Sequence, residues 1–95
     1  MKPLILYAEE FSYEINGLSK VFNDVILCFI DPGEGEIVEI LRQVKALSSK
    51  LRLSDVVIYP IRGDDFQLLG KLKGVLEDEG FKVEVVPRAE GRRFK

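Results

Sequence analysis

The sequence predicts an α/β domain built on a mixed β-sheet with two α-helices mainly on one face. Three observations lead there. Short apolar runs at residues 4–7, 25–30 and 56–59 read as buried strands. Two longer stretches, which follow the last two runs, carry apolar residues at helical spacing. Asn16-Gly17 marks a hairpin turn near the N-terminus, so antiparallel pairing there joins the parallel pairing that strand–helix–strand units require.

Taken in order, residues 4–7 form a continuous apolar run that suits a strand buried on both faces. Residues 11–15 alternate, with Phe11, Tyr13 and Ile15 on one face of a half-buried strand. The segment 18–23 is compatible with more than one state. Residues 25–30 are the most hydrophobic run and predict a central strand. Asp31-Pro32-Gly33-Glu34 then carries a cap, a proline for the first helical position and a capping-box acid. The first helix is expected over 34–51, with Ile37, Ile40, Leu41, Val44, Leu47 and Leu51 on its buried face.

Residues 56–59 predict the next strand, and a second helix is expected over 64–79. Its stripe is Phe66, Leu69, Leu72, Val75 and Leu76, and Gly80 supplies a left-handed stop. Gly70 and Gly74 share a face, a pattern that permits close approach to a neighbour. Residues 81–87 alternate as a strand, 88–91 turn, and 92–95 are either a short last strand or a frayed end. The predicted order is β-β-β-α-β-α-β, with an optional terminal strand.

Ninety-five residues suit one domain spanning 1–95. A formal net charge of −2 argues against a general nucleic-acid coat protein while leaving room for a local basic patch. One cysteine excludes an intrachain disulfide framework and fits a reducing compartment. No apolar run approaches the roughly 20 residues that span a bilayer, so a cytoplasmic protein without a membrane partner is expected. A chain this small, with few ways to cover its sheet edges, is expected to form a symmetric homodimer.

The chain contains no histidine, which removes the usual imidazole base and leaves its serines without a triad. Cys28, mid-strand between Leu27 and Phe29, reads as a small hydrophobe. Adjacent Asp64 and Asp65 read as a helix cap and a first-turn acid rather than a metal cage, so neither metal nor cofactor is expected. In open α/β sheets ligands settle beyond the carboxyl ends of the strands. Here that rim offers Tyr59, Pro60, Ile61 and Arg62. Arg88, Arg92, Arg93 and Lys95 cluster near the C-terminus against the single Glu90, a pattern suited to phosphate contact or to a solvated end.

Read together, these pieces resemble the archaeal threonyl-tRNA synthetase N-terminal editing domain. The similarity rests on Leu4-Ile5-Leu6-Tyr7-Ala8-Glu9-Glu10-Phe11-Ser12-Tyr13-Glu14-Ile15 and on the core strand 25–30. Val56-Val57-Ile58-Tyr59-Pro60, Gly80-Phe81-Lys82-Val83 and the closing stretch 87–95 extend it. It covers nearly the whole chain in order, through motifs that are each of low specificity. It implies a D-aminoacyl-tRNA deacylase-like fold, usually homodimeric, and an activity that hydrolyses serine mischarged on threonine tRNA.

The departures are specific. The family's histidine after Tyr-Pro falls at about Gly63, its tyrosine in the closing strand near Gly91, and its catalytic lysine near Arg92. Arginine keeps the charge but is planar and hydrogen-bonds differently. The family's longer segment between its second and third strands is shortened here to residues 16–23.

The resemblance therefore implies a reduced, stand-alone relative in translation quality control that binds the aminoacyl end of tRNA. Tyr59, Pro60, Ile61 and Arg62 would line the pocket, Arg92 would place the carbonyl or water in any ester hydrolysis, and Arg88 and Arg93 would contact RNA. A threonyl-tRNA synthetase lacking its editing domain is the implied protein partner. The alternative is a noncatalytic dimeric binding module that keeps the fold and acts through a protein partner. A third reading is an unrelated α/β domain that shares only the element pattern.

Overall fold

Asn16 and Gly17 both adopt positive φ, 54° and 78°, and close a two-residue turn between β1 (Leu4–Ile15) and β2 (Leu18–Ile30). Their twist matches that of the flanking strands, which explains why Asn-Gly sits here. The computed structural model describes residues 3–30, 37–61 and 67–87, together with the backbone of 66, 93 and 94. After β2 come α1 (Ile37–Leu51), β3 (Asp55–Pro60), α2 (Phe66–Asp78), β4 (Lys82–Val85) and β5 (Arg93–Phe94). The sheet order is β4-β3-β2-β1-β5. β2, β3 and β4 run parallel, while β1 is antiparallel to both of its neighbours.

The two strands predicted at 4–7 and 11–15 are therefore one, and segment 18–23 is the first half of β2. Ala8-Glu9-Glu10 contains no glycine or proline to break the chain, so β1 continues through it, with the ladder interrupted at Glu9. The observed order is β-β-α-β-α-β-β.

This hairpin is not a flat ribbon. The register passes from Ala8↔Val25 to Glu10↔Asn23 without a Glu9–Asp24 pair, and Asp24 sits at φ 54°. Across that step the inward residues change parity. Leu6 and Ala8 give way to Phe11, Tyr13 and Ile15 on β1, and Val25 and Leu27 follow Phe22 on β2. The distal half of the hairpin, residues 10–23, is an arm that folds back over its own sheet. Its Phe11, Tyr13 and Phe22 cluster with Val25, Leu27, Val57, Val86 and Tyr59.

The opposite face of the sheet carries both helices. Ile40 and Val44 of α1 and Leu69, Leu72 and Leu76 of α2 bury Ile26, Cys28, Ile30, Val56 and Ile58. Apolar burial on both faces is the main favourable term, at about 25 cal/mol per Å² removed from water. The layers are thus helices, sheet and arm.

Both helices end in the same way. The Leu53 N–H donates to the Ser48 carbonyl at 3.2 Å with Arg52 at φ 57°, and the Phe81 N–H donates to the Leu76 carbonyl at 3.1 Å with Gly80 at φ 95°. These are Schellman closures. Gly80 suits its position, whereas Arg52 carries the left-handed strain of a side chain.

Three sequence expectations need correction. Leu4 and Tyr7 are 56% and 42% exposed rather than buried on both faces, because β1 lies outside β2 and the helical core reaches Ile5 but not these neighbours. Leu51 is exposed, since α1 ends there. A Cβ on Gly70 or Gly74 would meet no described atom within 4 Å, so no described neighbour packs closely against them. The expected start of the first helix at 34–36 and the caps at Asp31 and Asp64 lie outside the described residues.

Candidate functional site

β3 is buried through Val56, Val57 and Ile58, and its register carries Tyr59 and Pro60 to the carboxyl end beside Phe29 and Ile30. Pro60 ends the strand where β4 no longer pairs, so its missing N–H costs no ladder bond on that side. The Ile61 N–H donates to the Ile30 carbonyl at 2.8 Å, and the chain leaves both strands at one level.

At this rim Pro60 is buried and Ile61 is 40% exposed. Tyr59 is half-buried, its ring tilted against Phe29 at 5.4 Å and edge-on to Phe11 at 6.2 Å. Tyr59, Pro60 and Ile61 thus share one strand end, but Tyr59, beside Phe29, faces the arm, whereas Pro60, beside Ile30, stands on the helix face of the sheet. Arg62, Arg88 and Arg92 lie outside the described residues. The backbone of Arg93 pairs with Glu14, and that of Phe94 with Tyr13, on the free side of the arm. Tyr13 in turn stacks on Phe22 at 6.1 Å and lies 6.3 Å from Phe11. One aromatic cluster therefore runs from the end of β3 to the strand that pairs with β5. The sequence placed Phe11 and Tyr13 on a common face, but it carried no signal that this face covers Tyr59.

Chemically, Cys28 is fully buried, and burial pushes its thiol up to about 12. A thiolate is not accessible at neutral pH, so Cys28 serves the core. Among the described residues no group of three or more aspartate, glutamate or cysteine side chains forms a metal cage. No described helix is long and apolar enough to cross a membrane.

A second concavity lies at the opposite, amino ends of β3 and β4. Its volume is about 270 Å³. The arm contributes Phe22 and Asn23, the sheet contributes Val25 and Val57, and Asp55 and Lys82 stand at the edge. Lys20 of the arm reaches Glu84 of β4, with Nζ to Oε2 at 3.2 Å. Both partners are partly exposed, so the pair is worth less than about 1 kcal/mol and registers the arm more than it holds it. Sequence reasoning missed this groove because it joins three segments through long-range pairing.

The structure defines a small α/β domain with a mixed five-stranded sheet, two helices on one face and a folded-back hairpin on the other. Compared with known proteins, the chain matches no family model and no characterised sequence.

Proposed function

We propose that this chain is an editing-domain-like protein that binds the aminoacyl end of tRNA at the carboxyl rim of its sheet. The observation that carries the reading is the placement of Tyr59-Pro60-Ile61 where parallel β2 and β3 end together. That is where open α/β sheets take ligands, and Tyr59 and Pro60 are among the residues that carry the similarity to the editing domain. The D-aminoacyl-tRNA deacylase-like fold belongs to this proposal, supported by the antiparallel N-terminal hairpin followed by two parallel helix-linked strands.

With no histidine in the chain and Cys28 inert, hydrolysis of seryl-tRNA for threonine would rely on main-chain groups, Arg92 and the tRNA's own terminal hydroxyl. In that role Arg62 lines the pocket with Tyr59, and Arg88 and Arg93 hold phosphate. The setting is the cytoplasm, with a threonyl-tRNA synthetase lacking its editing domain as partner. The test is a deacylation assay on seryl-tRNA for threonine, with and without such a synthetase, beside a binding assay with a nonhydrolysable amide-linked seryl-tRNA. Binding of the amide supports the reading whether or not the ester is cleaved. Failure of both assays rejects it.

A second reading, the noncatalytic dimeric module, is favoured by the outer edge of β1. Among the described residues, β5 covers β1 only at Tyr13 and Glu14, which leaves the edge from Leu4 to Ala8 without a neighbour. Light scattering that shows a dimer whose formation is blocked by Leu6→Pro, in a variant that stays folded, supports that module. A monomer at high micromolar concentration rejects it.

A further inference from the structure

We propose that the groove beneath the arm binds a small zwitterion with an aliphatic body, a free α-amino acid of the size of leucine. The lining is polar and apolar in nearly equal parts. Val57 and Val25 belong to the core under the arm, and Phe22 packs against that core from above. At the edge, Asp55 and Lys82 are Cα partners across the parallel β3–β4 ladder. Along β3, Asp55 alternates with Val56 and so stands on the same face as Val57, toward the arm. By the same alternation Lys82 shares its face with Glu84 and Val86.

Lys20 already engages the Glu84 carboxylate. Among the described residues no ion pair joins Asp55 or Lys82 to another side chain. One carboxylate and one ammonium are therefore left side by side at the mouth of the groove.

This arrangement selects its ligand by charge and size. An α-ammonium group meets Asp55, an α-carboxylate meets Lys82 and the Asn23 amide, and an aliphatic side chain lies against the half-buried ring of Phe22. A cation or an anion alone engages one edge group and leaves the other to solvent. A nucleotide would bring phosphate against Asp55 and Glu84. The volume of about 270 Å³ lies just below the range of pockets for drug-sized ligands, which fits a single amino acid rather than a peptide. This site is separate from the Tyr59 rim, and the proposal stands apart from the tRNA reading.

The test is a two-dimensional amide NMR titration of the full chain with L-leucine. The expected result is saturable shifts at Asn23, Asp55 and Lys82 with a dissociation constant on the order of 1 mM. 4-Methylpentanoate and isoamylamine, each leucine without one of its charged groups, should bind about tenfold more weakly. Lys82→Ala and Asp55→Asn should each weaken leucine by about fivefold, as loss of an exposed ion pair predicts. Both residues are exposed, and the same spectra report whether each variant stays folded. Absence of saturable shifts overturns the proposal. So do shifts centred on Tyr59 and Ile61, 4-methylpentanoate binding as tightly as leucine, or leucine binding unaltered in both variants.

Discussion

Phe11 meets Tyr59 edge-on, with ring centroids 6.2 Å apart and planes at 85°. Their strand partners are Phe22 and Phe29, seven positions apart on β2, a span of about 23 Å along a straight strand. The contact therefore exists only because the hairpin bends back at Glu9 and Asp24 and lays its distal half over the sheet. This single relationship closes the second hydrophobic face and sets the environment of Tyr59.

Replacement of Phe11 with alanine should destabilise the protein by about 3 kcal/mol, the cost of truncating a buried aromatic ring. The loss should be local before it is global. Amide exchange should accelerate first in residues 10–23, while Ile26, Cys28 and Ile58 under the helices stay protected. Uniform acceleration across both faces would show that the arm is not a separable layer.

Gly70→Ala and Gly74→Ala should each stabilise the chain by about 0.5–1 kcal/mol. A methyl group at either position meets no described atom, and glycine is costly in a helix interior. Urea denaturation is the check, and a destabilised variant would show that a neighbour does approach α2 there.

Stability should fall at alkaline pH through two tyrosines. The hydrogen bond from the Tyr7 phenol to Asp24 raises the Tyr7 pKa above its ordinary 10.0, and burial raises that of Tyr13. A raised folded-state pKa means that the native protein holds protons the unfolded chain has released. The contribution is thus full below pH 10 and is lost as pH rises through the folded values. Tyr7→Phe and Tyr13→Phe should each flatten the decline in denaturation midpoint above pH 10. An unchanged decline in both variants would assign it to other groups.

Much of the framework was legible in the chain because local physics and tertiary structure agree there. The apolar periodicity of Ile37, Ile40 and Val44, the Asn16-Gly17 turn and the left-handed Gly80 each state one structural fact. The arm was illegible because it violates the period of two that identifies strands. Where the hairpin bends, the inward parity switches on both strands, so β1 reads as two pieces and Leu18 to Asn23 as nothing definite. For the site, the apolar run ending at Tyr59-Pro60 pointed to a strand end. The groove needed Asp55, Lys82 and Phe22 to converge through pairings that no local pattern encodes.

The central functional claim is that tRNA is held at the rim, with phosphate contacts from the closing basic residues. It is tested most directly by the affinity for threonine tRNA across a salt series, in the unaltered chain and in Arg92→Ala/Arg93→Ala. Each lost phosphate contact should lower the slope of log affinity against log salt by about 1. The account predicts weaker binding and a slope lower by about 1 in the double variant, because Arg93 is the phosphate contact of the pair, with any hydrolysis falling further than binding through the loss of Arg92. Unchanged affinity and an unchanged slope would contradict it and leave the basic residues as a solvated end.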